Sequence, residues 1–157
     1  MLLLVSLLLA QASPAQTSPA PAPPEKPPAA VAAATDAVIR NSGSTNSAGY
    51  TIVLHPDATA ELLQNGTTVA KTVAKAQAAR LFDRLHAAGR LDALPIGHCM
   101  RSVSFGSTTT VTYAGHTSGD LGCSGGDPSV GALQTAVAAI ANQLGATAFG
   151  ARYRRPL

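Results

Sequence analysis

The chain has no tryptophan, only 4% aromatic residues and only 12% charged residues over its 157 positions. Two cysteines are too few for a disulfide-dense mini-protein, and so thin a charge content excludes a disordered polyelectrolyte. Lysine and arginine number 11 against 8 acidic residues, a net charge of +3. Three of those cations, Arg152, Arg154 and Arg155, lie in the last six residues, and without them the two signs cancel. A nucleic-acid partner is therefore not expected, because phosphate neutralisation needs several cations on one surface. The longest opening apolar run, Leu2 to Ala10, would span only about 13–14 Å as a helix against a ~30 Å hydrocarbon core. No transmembrane span is expected in the mature chain.

That same short run, followed by Ala10-Gln11-Ala12, has the length and the A-x-A ending of a secretory leader. Cleavage before Ser13 is expected, and with it a periplasmic or extracellular location. No Lys or Arg precedes the run, so a start that lies upstream, or one slightly displaced from Met1, is expected. Residues 13–34 are almost entirely Pro, Ala and small polar types, with a single Glu25-Lys26 pair. Proline removes donors and fixes φ, so a solvated tether is expected there rather than a packed element. Pro24-Glu25-Lys26-Pro27 fits the P-x-x-P spacing, but an exported tether needs no such ligand role.

Hydrophobic residues make up 46% of the chain, but alanine alone supplies 31 of them, so the real core is smaller than that figure suggests. One domain is expected over residues 35–148, with 149–157 a basic tail. Ala37 to Arg40 and Tyr50 to Leu54 read as strands. Thr59 to Gln64 and Thr67 to Thr72 flank Asn65-Gly66, the strongest short hairpin signal. Ala78, Leu81, Phe82, Leu85 and Ala88 share one helical face, predicting a helix over residues 74–88 that stops at Gly89. Arg101 to Phe105 and Thr108 to Tyr113 read as a second hairpin around Gly106-Ser107, and a further short strand is expected near Thr117 to Leu121. Asp127 as cap, Pro128 at the first helical position, and Val130, Leu133, Val137, Ile140 and Leu144 at 3-4 spacing predict a last helix before Gly145. The sum is an α+β fold: an antiparallel sheet built from hairpins, with two helices on one face.

Cys99 and Cys123 are expected to pair, since the count is even and the compartment oxidising. Their ring is worth roughly 3–3.5 kcal/mol on the chain-entropy account. His98 beside Cys99 is badly placed to activate a thiol, because strand neighbours point to opposite faces. His55-Pro56-Asp57 resembles the HPD tripeptide of J-domain co-chaperones, yet it sits between strand patterns rather than helices and reads as a turn. The four histidines, at 55, 86, 98 and 116, show no metal-ligand spacing, so no metal or other cofactor is expected. The stretch from Gly119 to Pro128 resembles the nucleophile loop of trypsin-like serine proteases, with Leu121, Gly122 and Cys123 interrupting the match. A phosphate cradle is disfavoured by Asp127 at the cap and the missing Walker lysine. Asn65-Gly66-Thr67 is a formal glycosylation sequon but reads as the hairpin turn, and the arginines of the tail read as solvated.

The polar stretches Ser42-Gly43-Ser44-Thr45-Asn46 into Gly49-Tyr50-Thr51-Ile52, Ser104 to Tyr113, and Ser118 to Cys123 resemble a group of small exported bacterial proteins of unknown function. That resemblance implies a recurrent domain and brings no activity with it. No catalytic residue is nominated. The leading expectation is a non-catalytic exported domain that binds a protein or cell-envelope partner, with Asn41, Ser44, Asn46, His116 and Asp120 as the candidate binding residues on its polar loops. Two alternatives stand beside it: an inhibitor of a protease or other hydrolase presenting the Cys123-anchored loop, and a small hydrolase using His116, Asp120 and Ser124.

Overall fold

The structure, a computed structural model, describes Ala33 and residues 35–146 except 103 and 105. The expected leader (1–12), nearly all of the tether and the basic tail lie outside those residues. Six antiparallel strands form one sheet in the order β4-β3-β2-β1-β5-β6. Their ranges are β1 Ala37–Asn41, β2 Tyr50–Leu54, β3 Thr59–Gln64, β4 Thr67–Thr72, β5 Thr109–Tyr113 and β6 His116–Thr117. Helix α1, Lys75–Ala88, connects β4 toward β5, and α2, Pro128–Leu144, ends the described fold. The α+β class is as the sequence indicates.

Period-2 alternation does most of the building. In β1 and β2, Ala37, Ile39, Tyr50, Ile52 and Leu54 point inward and are buried, while Val38, Thr51 and Val53 face the other side. Against this face α1 lays Ala78, Leu81, Phe82 and Leu85. From α2 come Val130, Leu133, Val137, Ile140 and Leu144, the stripe its 3-4 spacing calls for. Each fully buried Leu, Ile or Val in this layer contributes about 1.5–3 kcal/mol of transfer free energy. Local chemistry agrees at the element ends. Asn65 and Gly66 both take positive φ, 52° and 76°, the type I′ turn that matches strand twist. Asp127 Oδ1 accepts from the amides of Ser129 and Val130, which caps α2 ahead of Pro128. Lys71, on β4, donates to the Leu144 carbonyl and so closes the other end of α2 with a cation.

The second hairpin is a correction. The described residues between 101 and 108 form no strand, and Val103 and Phe105 lie outside the described set. The reason is topological: β5 pairs with β1 along one edge and with β6 along the other, so no edge is left for a strand at 101–105. On either side of Val103 and Phe105, Gly106 N donates to Ser102 O. A disulfide joins Cys99 to Cys123, with the Cα atoms 5.5 Å apart. The strand expected at Thr117 to Leu121 is likewise cut to His116–Thr117, followed by a 3-10 turn at Leu121–Cys123. Side chains replace the missing ladder. Val111 N donates to Ser118 Oγ, and Thr109 N donates to Asp120 Oδ1, at 3.0 Å each.

Candidate functional site

The inner face of the sheet is apolar for most of its length and turns polar at one end. Ile39, Ile52, Leu62 and Val111 form one cross-strand row. Two residues further along each strand, the next row reads Gln64, Tyr50, Asn41, Thr109. Over this row lies a cleft of about 200 Å³, roofed by the middle of α2 and rimmed by Arg101, Ser107 and the Asp120–Gly122 turn. Its polar lining is Tyr50, Arg101, Ser107, Thr109, Asp120 and Gln134. Leu121, Val137 and Ala138 supply an apolar wall.

Asp120 is the hub of the rim. Its Oδ1 accepts from Thr109 N and Gly122 N and its Oδ2 from Arg101 Nε at 3.0 Å, while Arg101 Nη2 stands 2.8 Å from Oδ2 as an ion pair. The carboxylate is thus saturated and its charge cancelled within the protein, with the side chain 14% exposed. Arg101 is placed there by the disulfide two residues before it, which pins its backbone to the turn that carries Asp120. Asn41, 8% exposed, braces the far side. Its Nδ2 donates to Thr109 Oγ1 at 2.9 Å and to Ser107 Oγ at 3.2 Å, while its Oδ1 accepts from Gly43 N. Gly43 has φ +66°, and a Cβ there would stand 2.4 Å from Gly49 N, so the loop that follows Asn41 closes only with glycine at that position. Tyr50 is 8% exposed, and its hydroxyl has no hydrogen-bond partner among the described residues. Burial raises its phenol above the ordinary tyrosine range, which keeps the O–H proton in place.

Of the five residues nominated from sequence, Asn41 and Asp120 belong to this cleft, one bracing its floor and one forming its rim. Ser44 and Asn46 do not line it. Ser44 Oγ bonds Ser47 Oγ across a tight bridge, and Asn46 Nδ2 donates to Ser104 O, so both tie the 42–47 loop together or to its neighbour. His116 faces away, with Nδ1 3.1 Å from Asp92. Asp92 also takes the Arg90 guanidinium, whose hydrogen bond holds the carboxyl below the usual carboxylate range. The His116, Asp120 and Ser124 arrangement therefore does not assemble: Asp120 is committed to Arg101, His116 to Asp92, and no described hydrogen bond joins His116 to Ser124. Sequence reasoning missed Tyr50, Arg101, Ser107, Thr109 and Gln134. One signal was available for two of them, since Tyr50 and Thr109 each occupy an inward position at the end of a strand, as Asn41 does.

Two other concavities are described. The larger, about 430 Å³, lies over β3 and β4, where His55 is bonded to Asp36 and Lys71 to Leu144. The other, about 210 Å³, runs between α1 and α2 past Gln77, Arg80 and Arg84. Among the described residues one group of metal-ligating side chains comes together, Cys99, Asp120 and Cys123, and its two sulfurs are bonded to each other rather than free as thiolates. No helix of the described residues is long and apolar enough to cross a membrane. The domain is thus a small α+β unit without an evident catalytic cluster among the described residues. No family model, curated protein or solved structure matches the chain.

Proposed function

We propose that the chain is an exported binding domain, acting without catalysis in the periplasm or outside the cell, and that the cleft over Asn41, Tyr50 and Thr109 is its recognition site. One observation carries the placement. Tyr50, 8% exposed, turns its side chain to the cleft and makes no hydrogen bond to the described protein groups, while Asn41 and Asp120 on either side of it are held by several. The Tyr50 hydroxyl is not among the buried unpartnered polar atoms, so it is open to solvent at the cleft and can be taken by a ligand that displaces that solvent. Export is supported by the apolar run ending in Ala10-Gln11-Ala12 and by the disulfide, which belongs to an oxidising compartment. The tether and the domain that follows it fit an exported module offering one face to a cell-envelope or protein partner.

The test maps amide shifts in a 15N-labelled protein against three probe classes at millimolar concentration: an acetylated dipeptide, a methyl glycoside and a mononucleotide. Binding at the cleft shifts Tyr50, Thr109, Asp120 and Gly122 together. A protein in which every class leaves those four amides still, or in which a probe is turned over, is not the domain proposed. Intact-mass measurement of secreted material starting at Ser13 supports export, and retention of the full chain in the cytoplasm refutes it.

A further inference from the structure

Far from the cleft, the strand order leaves one long edge open. β4 ends the sheet and pairs with β3 along one side only. All of its residues but Lys71 are exposed, so nothing among the described residues covers its other side. Which backbone groups are free there follows from the ladder. Val73 N donates to Ala58 O, and bonded and non-bonded pairs alternate along antiparallel strands, so Lys71, Val69 and Thr67 spend their N–H and C=O groups on β3. Thr68, Ala70 and Thr72 therefore aim theirs away from the sheet. Only another strand can satisfy such a row in full. We propose that this edge is a homodimer interface, in which β4 of two copies of the chain pair antiparallel across a two-fold axis.

The occupant is argued from self-complementarity. Thr67, Val69 and Lys71 stand opposite Gln64, Leu62 and Ala60 and so lie on the helix side of the sheet. Directly opposite residues share a face, and an axis normal to the sheet keeps the helices of both copies on one side. The register that sets Val69 against its own counterpart sets Thr68 against Ala70, and these outward-aimed residues exchange N–H···O=C bonds in both directions. Val69 is 45% exposed, one of two exposed large hydrophobic side chains among the described residues. In this register the two valines form a non-hydrogen-bonded pair, where side chains approach most closely, and each covers the other. Lys71 falls opposite Thr67, which keeps the two lysines about 13 Å apart along the strand. Strand edges that stay single are guarded by proline, a bulge or an outstanding charge. β4 pairs in unbroken register without proline, and its one lysine is drawn back to the Leu144 carbonyl. The edge carries no other charge with which to select a foreign strand, whereas its own sequence covers its exposed valine. β4 supplies no residue to the cleft, so the recognition site stays open in both copies and the two proposals stand or fall separately.

Sedimentation equilibrium of the full disulfide-bonded chain, from about 1 µM to about 1 mM, is the first measurement, and the mean mass should rise toward twice that of the monomer. Hydrogen exchange at the Thr68, Ala70 and Thr72 amides should slow over the same range. Ala70→Pro removes an N–H that β3 does not use and sets a ring against the partner strand, so it should abolish the rise in mass and leave the fold standing. Val69→Lys and Val69→Glu keep the test open should the proline variant fail to fold, since the side chain they replace is exposed. Each alone should associate more weakly than the natural chain. An equimolar mixture of the two should associate roughly three- to tenfold more tightly than either, because opposite charges directly across a strand pair attract and like charges repel. A chain that stays monomeric throughout, an association that survives Ala70→Pro, or a mixture no tighter than its components overturns the proposal. Protection of the same amides only when a peptide of unrelated sequence is added also overturns it, and assigns the edge to a foreign strand.

Discussion

Replacing Cys99 and Cys123 by serine opens a ring whose ends are 24 residues apart in sequence. The chain-entropy relation assigns that ring about 3.5 kcal/mol, gained almost wholly by restricting the unfolded chain. For a folded unit of about 110 residues, unfolding entropy near 2.1 cal/mol/K per residue converts this to a fall of about 15 °C in Tm. The native state should survive, because the turn carrying Cys123 keeps its own anchors: Asp120 to the Thr109 and Gly122 amides, and Cys123 N to Asp120 O. Cys123 is 8% exposed, so a serine there also buries a hydroxyl. Comparing Cys99→Ser/Cys123→Ser with Cys99→Ser/Cys123→Ala separates that cost from the loss of the ring. Thermal and urea unfolding by circular dichroism give both the midpoint and the slope m. If the bond acts on the unfolded ensemble, m rises in both variants as that ensemble expands. A fall of less than about 5 °C in Tm with m unchanged would refute the entropic account and leave the bond a role in placing Arg101 alone.

Three further outcomes follow from the same geometry. A Cβ on Gly122 would stand 2.0 Å from Arg101 Nη2, so Gly122→Ala should swing the guanidinium off Asp120 for about 1 kcal/mol, visible as a shifted Arg101 Nε–H resonance and a fall of about 4 °C in Tm. Gln77 Oε1 is buried without a hydrogen-bond partner, so Gln77→Met should stabilise the domain by about 1 kcal/mol in urea unfolding, and any destabilisation would show that the oxygen has found a partner. The Ser129 hydroxyl and the Val130 amide hold the Asp127 carboxyl below its ordinary value, so the stability it adds is present above about pH 4 and lost as pH falls through the lowered folded-state value. Melting curves between pH 5 and pH 2 should fall less steeply in Asp127→Ser, and parallel curves would exclude the cap as an acid-labile contact.

What sequence could show divides along local and non-local lines. Both helices, the Asn65-Gly66 hairpin and the inward residues of β1 to β3 rest on periodicity, caps and turn residues close together in the chain, and these were legible. The alternation of Arg101, Val103 and Phe105 has the same local form, yet the described residues of that stretch form no strand, because β1 and β6 occupy both edges of β5. Pairing of residues about seventy positions apart leaves no periodic trace. The cleft was half legible for the same reason. Asn41 and Asp120 stood out as polar residues in turn-rich stretches. Tyr50 and Thr109 look like ordinary strand residues until register sets them beside Asn41, and Arg101 has no meaning for the site until a disulfide holds it against Asp120.

The strand order has a consequence for how the domain reaches this state. Strands β1 to β4 form a meander that any nascent chain can close through short turns, while β1 is left with one edge bare until β5, some seventy residues later, arrives to cover it. Closing that long loop is the slow, entropically costly step, so folding should pass through a state in which the central strand of the finished sheet is temporarily its edge. A second chain could satisfy that edge as readily as the first chain's own β5. The Cys99–Cys123 bond closes a ring around β5 and β6, so it restricts how far those strands can stray before they meet β1.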